Sequence, residues 1–471
     1  MQEASDRDRR PWYSPGVADA VFVGCALLAL FHSRTGAMDD PGLGWHLRIA
    51  DQMWESGGFL YQETFCPQTE GQQWVTYAWL GDILLRMSYA WSGLNGIAVL
   101  MALCIGLFLR VLYTHMVSDG VPWLGAVAWT LLAAQASRVG WTARPNMYTF
   151  VGLALTVVIC ERFHRGAISR RQTLWLIPLF FLWANMHSGF LAGALVLAVT
   201  YLVELSLSCC APEQAVREAA RSRLRWLTGL GLILFVVTLV NPYGLGLYMW
   251  TISALRDPFI QQSSTTEWRA PDFTAPGWSY VELVILLFPL LAAISRRKVP
   301  ALSLALSIIW LHFALTGVRY AALWIIVAVP TLALWSCDVA WLQRIGQGLA
   351  ARTSAEFRAR FVNRPGPIPL VSSFAFAICL MIGSRWLPPI ARHHNLPAKE
   401  LDVLLEMHQG ERVFHSANWG GYLTWHGWDL KPRFRPWIDD RIDVHGRTHT
   451  EEYFDLIRAA PGWSETLDGQ N

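Results

Sequence analysis

Two adjacent carboxylates, Asp39 and Asp40, stand where the first apolar stretch of the sequence ends. Pro41 and Gly42 follow them and predict a sharp turn, and His46 lies a short distance further along an amphipathic segment. An acid that is partly desolvated beside a second acid has a raised proton affinity, so it can act as a general base near neutral pH. The pattern suits removal of a proton from a hydroxyl group at a membrane surface. The simpler alternative is a pair of acids that marks a helix end.

Three further polar or aromatic side chains interrupt or flank apolar segments. His187 lies between two apolar runs in "NMHSG", where an unpaired imidazole would be costly to bury. It is therefore either a structural histidine with satisfied hydrogen bonds or a site residue. Glu267 and Trp268 precede "RAPDF", and this pair either closes over a cavity or anchors a loop.

Acidic residues crowd one short stretch near the end of the chain, "WIDDRIDVHG". Asp440 and Arg441 in this stretch could orient a substrate by hydrogen bonds, and the neighbouring Asp439 and Asp443 could contribute to a divalent cation site. Gly446 interrupts the two histidines that follow, which argues against a shared helical face of metal ligands. Ion pairs at strand ends are the default interpretation.

The composition is that of an integral membrane protein. Of the 471 residues, 53% are hydrophobic and 15% are charged, and the mean hydropathy is +0.30, which a soluble domain of this length would rarely show. The 25 tryptophans cluster beside apolar runs, as they do in interfacial belts. A net charge of +3 is too slight to indicate nucleic-acid binding. The 8 cysteines are scattered without metal-type spacing, so no disulfide framework is predicted.

Apolar runs long enough to cross a membrane recur along the chain. A hydrocarbon core of about 30 Å needs roughly 17 to 25 apolar residues per helix, and this criterion predicts about 11 spans. They lie near residues 16–34, 95–114, 121–138, 146–162, 173–186, 189–208, 225–242, 277–295, 299–316, 319–337 and 369–386. The sequence therefore predicts an all-α polytopic membrane domain over residues 1–386.

The basic residues indicate how these spans are oriented, because Lys and Arg in short loops stay in the cytoplasm. With these spans, every strongly basic connection falls on the side of the N-terminus, which is therefore cytoplasmic. The basic connections are 162–171, 217–225, 296–298 and 344–364. Three larger segments then lie outside: residues 35–94, residues 243–276, and the tail over residues 387–471.

The first and last external segments have their own predicted structure. "GWHLRIADQMWESG" and "WVTYAWLGDILLRMSYAWSG" place aromatic and aliphatic residues at helical spacing, which predicts two helices in the membrane interface within 35–94. In the tail, "RVFHSANWGGYLTWHG" and "RFRPWIDDRIDVHG" predict short strands, and "THTEEYFDLIRAA" predicts a helix. We therefore expect a small α/β extracytoplasmic domain over 387–471.

The first span is followed by an acidic residue and a large loop with two interfacial helices. This layout resembles that of the C-type (GT-C) glycosyltransferases, membrane enzymes that take sugars from polyprenyl-phosphate donors. The motifs "DDPGLGWHLRIADQMWESGG", "RPNMYTF", "WANMHSGFLAG", "NWGGYLTW" and "WIDDRIDVHG" are similar to successive motifs of a related bacterial family of multi-spanning membrane proteins with a DPGxGWHL-type first loop. The similarity runs from about residue 39 to 463. Tails in that family continue past the motif matched by "GWSETL", so the resemblance implies a shortened tail domain here.

The resemblance assigns roles by position. Asp40 would be the catalytic base, with Asp39 as the alternative, and the deprotonated acceptor would displace polyprenyl phosphate at the anomeric carbon with inversion. Arg144 and Arg319, at outer helix ends in this topology, could stabilise the departing phosphate through paired hydrogen bonds; otherwise they are interfacial arginines. His46 would bind substrate. No cofactor is expected, with a divalent metal as the alternative, and the partners would be a polyprenyl-phosphate-linked sugar, membrane lipid and an unknown acceptor.

Three classes of function remain open from the sequence. The first is a glycosyltransferase at the outer face of a bacterial cytoplasmic membrane. The second is a transporter or flippase of a polar lipid-linked substrate, which should carry ionisable residues near the middle of the membrane. The third is a non-catalytic scaffold in envelope polysaccharide assembly, which would tolerate loss of the acids in the first loop.

Overall fold

The computed structural model describes residues 15–262, 266–354, 357–362, 370–390, 396–397, 401, 403, 414–430 and 433–468. Within these residues the chain is helical and contains no strand; a single bridge joins Gln62 to Gln73. Residues 1–14 and part of the basic connection at 344–364 lie outside the described residues, as does the start of the first strand predicted in the tail.

The helices follow the apolar runs of the sequence, and each predicted span coincides with a helix. The first half of the chain forms α1 (Val17–His32), α2 (Leu43–Ser56), α3 (Trp79–Ser118), α4 (Trp123–Ser137), α5 (Asn146–His164), α6 (Arg170–Thr173), α7 (Leu176–Met186), α8 (Phe190–Cys210) and α9 (Gln214–Thr238). The second half forms α10 (Leu245–Arg256), α11 (Pro258–Gln262), α12 (Ser279–Ile294), α13 (Ala301–Thr316), α14 (Val318–Ser336), α15 (Ala340–Ala351), α16 (Leu370–Gly383), α17 (Ala417–Gly427), α18 (Ile442–Ile457) and α19 (Trp463–Asp468).

Several of these helices have the length and apolar character of membrane spans. Among the described residues, 5 helical segments are long and apolar enough to cross a membrane: Val17–Ala37, Trp79–Ser118, Asn146–His164, Phe190–Cys210 and Val318–Ser336. Shorter apolar helices cover Ser279–Ile294, Ala301–Thr316 and Val371–Trp386. A polytopic helical membrane protein is thus confirmed in outline, whereas the predicted number of spans is not confirmed.

The α3 helix packs against both α1 and α5, and the three helices alternate in direction. Asp19, near the start of α1, is 3.6 Å from Arg110, near the end of α3, so these two helices are antiparallel. The start of α5 lies near the end of α1, where the Ala143 backbone N–H donates to the Ala37 carbonyl over 3.1 Å. One end of the bundle therefore collects the segments that follow α1 and precede α3 and α5.

The opposite end of the bundle carries buried ion pairs. His115 at the end of α3 is 2.6 Å from Glu161 at the end of α5. Near the end of α8, Glu204 is 2.7 Å from Arg223 near the start of α9. Because a buried charge is costly unless it is paired, these contacts fix the helix ends relative to one another.

The two helices predicted within 35–94 are present, and the second is continuous with a span. The α3 helix begins at Trp79, changes direction at Ser92 and Gly93, and continues to Ser118. Gly93 has a φ of 56°, a left-handed conformation that favours glycine, which explains how the kink is made within one helix. The kink falls at the predicted boundary between the interfacial helix and the span.

The tail differs from its predicted α/β structure. Two strands were expected over "RVFHSANWGGYLTWHG" and "RFRPWIDDRIDVHG", but Ala417–Gly427 forms α17, and α18 begins at Ile442 inside the second of these segments. The strand predictions are therefore wrong for these residues, whereas the helix predicted over "THTEEYFDLIRAA" is confirmed as part of α18. The adjacent glycines Gly420 and Gly421 lie inside α17 and allow close helix packing.

Backbone contacts hold α17 against the first loop. A Cβ atom on Gly44 would lie 1.9 Å from the Gly421 carbonyl oxygen, and a Cβ atom on Gly421 would lie 2.2 Å from the Pro41 carbonyl oxygen. On the other side of α17, a Cβ atom on Gly420 would lie 2.2 Å from the Ile438 carbonyl oxygen. The tail helix thus fits between the first loop and the segment that carries Asp440, because glycines remove the side chains at the contacts.

Candidate functional site

The turn that follows α1 places Asp40 inside the protein. Its side chain accepts a hydrogen bond of 2.8 Å from the Gly42 backbone N–H, which holds the carboxylate over the turn. An Asp side chain in a turn commonly accepts from the backbone N–H two residues further along. Asp40 is 8% exposed, whereas its neighbour Asp39 is half-buried. The structure therefore separates the two adjacent acids, and Asp40 is the one that faces the bundle.

Arg144, just before α5, gathers three carboxylates from distant parts of the chain. Its Nε donates to Asp40, and its Nη2 donates to Asp440 of the tail over 2.5 Å. Its Nη1 donates to Glu267 over 3.4 Å. Trp45 completes the contact with the tail, since its Nε1 donates to Asp440 over 2.8 Å. We call Asp40, Arg144, Glu267 and Asp440 the Arg144 cluster.

The charges of the Arg144 cluster shift one another's proton affinities. Burial raises the pKa of Asp40 to about 6, and the nearby Asp440 and Glu267 add to this effect, while Arg144 opposes it. Burial alone would also raise the pKa of Glu267, but Arg144 and Arg319 bring it below its ordinary value. Asp40 can therefore gain and lose a proton near neutral pH.

Arg319 lies beside the cluster at the start of α14. Its guanidinium stacks over the Trp268 ring, 4.1 Å from the ring centroid. The Val318 backbone N–H donates to the Arg269 carbonyl over 2.9 Å, which ties the start of α14 to the segment that carries Trp268. Arg144 is paired with carboxylates, whereas no described carboxylate forms an ion pair with Arg319. The donors of Arg319 are therefore available to an anion.

His187 is held by hydrogen bonds of its own. Its Nδ1 accepts a hydrogen bond of 3.0 Å from the Gly189 backbone N–H and lies 2.8 Å from the Thr149 hydroxyl. Its ring makes an edge contact with the Tyr77 ring at 5.7 Å between centroids. These contacts satisfy Nδ1, so a substrate could meet His187 only through its other ring nitrogen.

Arg441 belongs to a second buried cluster that joins the tail to the first loop. Its Nη1 donates to Glu63 over 2.5 Å, and its Nη2 donates to Asp439 over 2.5 Å. The guanidinium also lies 4.5 Å from the centroid of the Trp74 ring. Although Arg441 is adjacent to Asp440 in sequence, its side chain points to a different set of partners. Its contacts anchor the tail.

The same cluster contains a group of atoms that could in principle ligate a metal. Ligand atoms of Cys66, Asp439 and His445 lie within 4.8 Å of one another. Both Asp439 oxygens, however, accept hydrogen bonds from Arg441, and one of them is also 2.9 Å from the His445 Nε2 atom. A cation here would have to displace the arginine, so these residues do not fit a resident metal ion.

The structure thus brings most of the predicted site residues to one end of the bundle. Asp40, Arg144, Glu267 and Asp440 are in direct contact, and Trp268 with Arg319 borders them. Sequence reasoning did not single out Asp82 or Glu63, which are both buried and paired. A carboxylate among apolar residues, as in "LGDILL", was the pattern that could have indicated Asp82.

No protein-family model matches this chain, and no curated protein matches it either. The function must therefore be inferred from the geometry of the site itself.

Proposed function

We propose that this protein is a membrane glycosyltransferase that moves a sugar from a polyprenyl-phosphate donor to a lipid, glycan or protein acceptor at the outer face of a bacterial cytoplasmic membrane. The observation that carries the proposal is the buried Asp40 carboxylate, paired with Arg144 at the end of an apolar helical bundle. A buried acid with a pKa of about 6 is suited to accept a proton from a hydroxyl nucleophile.

In this proposal Asp40 is the general base. The ionised carboxylate takes the proton of the acceptor hydroxyl, and the resulting oxygen nucleophile attacks the anomeric carbon. The bond between that carbon and the phosphate oxygen breaks, and its electron pair leaves with polyprenyl phosphate. Asp39 is the weaker candidate, because it is more exposed than Asp40 and burial raises its proton affinity less.

Arg144 and Arg319 have different roles in this proposal. Arg144 uses its donors on three carboxylates, so it orients Asp40 and holds the tail in place. Arg319 rests on Trp268 with its guanidinium plane preformed, and it is the better candidate to bind the departing phosphate. Preorganised charge of this kind stabilises a leaving group without reorganisation during the reaction.

A transporter is the alternative that the described helices favour less. Such a protein should carry ionisable residues near the middle of its spans. The buried ion pairs of the described helices, such as Asp19 with Arg110 and His115 with Glu161, lie near helix ends instead.

Replacing Asp40 with asparagine should abolish the base and leave the shape of the site intact. We expect sugar transfer by the purified protein to fall by about 100-fold to 10,000-fold, the usual contribution of a general base. The measurement is transfer of a labelled sugar from a panel of polyprenyl-phosphate sugars in lipid nanodiscs. Glu55→Gln is the matched control, because Glu55 is an exposed carboxylate in the same external loop. Transfer by Asp40→Asn at the wild-type rate would remove Asp40 from this role.

The pH dependence of transfer should report the ionisation of Asp40. The base acts only when it is ionised, and its pKa is raised to about 6, so the rate should fall as the pH is lowered through this value. Burial raises the pKa of Asp443 to about 6 as well, so Asp443→Asn is the necessary control and should keep the acidic limb. If the limb disappears in Asp443→Asn and persists in the residual activity of Asp40→Asn, the assignment is wrong.

A further inference from the structure

A buried histidine–carboxylate pair lies next to the Arg144 cluster. The His46 Nδ1 atom, on α2, is 2.6 Å from an Asp82 oxygen at the start of α3. Both side chains are 1% exposed, so water does not compete for this contact. With Asp82 ionised, a neutral His46 donates its Nδ1 proton to the carboxylate and keeps the lone pair on Nε2.

The second nitrogen of His46 has no hydrogen-bond partner in the described part of the chain. The Nε2 atom is buried, and so is the second Asp82 oxygen, which also lacks a partner there. Leaving a buried acceptor unpaired costs free energy comparable to a lost hydrogen bond. A substrate group that donates a hydrogen bond to Nε2 would recover that cost on binding.

The His46 ring packs against two aromatic rings, one of which contacts the Arg144 cluster. It stacks on the Trp45 ring at 3.7 Å between centroids, and Tyr77 meets it edge-on at 6.5 Å. The same Trp45 donates to Asp440, which in turn binds Arg144. The Trp45 ring therefore lies between His46, which carries the unpaired nitrogen, and the proposed reaction centre.

We propose that His46 Nε2 accepts a hydrogen bond from a hydroxyl group of the donor sugar, and that Asp82 is a positioning residue that holds His46 in the required tautomer. The inference rests on the proposed glycosyl transfer and adds what this part of the site recognises. A lone pair attracts a hydroxyl proton and repels phosphate oxygens, so Nε2 binds the sugar and not the phosphate. Burial lowers the pKa of His46 well below its ordinary value, and Arg144, His187 and Arg441 act in the same direction, which keeps the ring neutral.

The tautomer can be measured without any enzymatic assay. The protein is labelled with ¹⁵N-histidine, and the His46 signals are identified among the 13 histidines by their loss in His46→Gln. We expect a protonated Nδ1 and a bare Nε2 in the wild type, and a move toward protonated Nε2 in Asp82→Asn, because an amide can donate to Nδ1. Glu161→Gln removes the carboxylate partner of His115 at the other end of the bundle and should leave His46 unchanged. A wild-type His46 with its proton on Nε2 would overturn the proposal.

Two lipids separate recognition of the sugar from recognition of the phosphate. Adding a polyprenyl-phosphate hexose should shift the His46 Nε2 resonance, while the same polyprenyl phosphate without sugar should not. In transfer assays Asp82→Asn should raise the KM for the sugar lipid about tenfold, the effect of losing one buried hydrogen bond, and Asp82→Glu should restore part of it. If the resonance shifts but no transfer occurs, glycosyl transfer fails and sugar recognition stands; transfer without a shift would refute the role of His46.

Discussion

Replacing Arg144 with glutamine is expected to be the most damaging single change in this protein. It would leave Asp40, Glu267 and Asp440 together without their common counter-charge. Removing one partner of a buried ion pair typically destabilises a protein by about 3–5 kcal/mol, and the partial exposure of Arg144 argues for about 3 kcal/mol here. We expect a clear decrease in the unfolding temperature in detergent micelles and loss of sugar transfer.

The cause of this loss can be checked by pH and by a second substitution. Without the arginine the three acids repel one another, which raises their pKa values in the folded state. The folded protein then binds more protons than the unfolded chain, so Arg144→Gln should be less destabilised at pH 5 than at pH 8. Adding Asp440→Asn to Arg144→Gln should restore part of the stability. Arg458→Gln, at an exposed arginine of the tail, is the control. A defect of equal size at both pH values would argue against charge repulsion as its cause.

Replacing Gly421 with alanine should separate the tail from the first loop. The new Cβ atom would lie 2.2 Å from the Pro41 carbonyl oxygen and 3.0 Å from the Trp45 ring, and a backbone atom cannot move aside as a flexible side chain can. Overpacking usually costs about 1–3 kcal/mol. We expect α17 to move away from α2, the Asp440 contact with Arg144 to weaken, and the tail to be cleaved faster by a protease.

Gly58→Ala is the matched control for this experiment. Gly58 lies in the same segment between α1 and α3, and a Cβ atom there would meet no atom within 4 Å. Gly44→Ala, on the other side of the contact, should reproduce the effect of Gly421→Ala, because its Cβ atom would lie 1.9 Å from the Gly421 carbonyl oxygen. Unchanged protease sensitivity and unchanged transfer in Gly421→Ala would mean that the tail does not depend on this contact.

The helices of the bundle were predictable because hydropathy has a direct physical cause. Every backbone polar group in a membrane must be paired within its own helix, so an apolar run of sufficient length has few alternatives. The tail was not predictable in the same way. Short segments separated by Gly and Pro suggested strands around "NWGGYLTW", but Gly420 and Gly421 allow a helix to pack against neighbouring backbone. That contact depends on long-range partners that local patterns do not contain.

The candidate site was predicted in part, for a similar reason. Asp40 and Arg144 were placed at the same end of the bundle by the predicted topology, and the structure brings them into contact. The contact between Arg144 and Asp440 joins residues 296 positions apart, and no spacing rule relates them. Asp82 was overlooked because its partner His46 lies on a different helix, so neither residue indicated the pair alone.

The position of Asp440 in the sequence also has a consequence for biosynthesis. The ribosome synthesises a chain from its N-terminus, so early segments can fold before later ones exist. Here Asp440, which pairs with Arg144, and Arg441, which pairs with Glu63, are translated long after their partners. In a growing polypeptide Arg144 and Glu63 therefore exist before their charge partners, and the two clusters can form only once residues 440 and 441 have been synthesised.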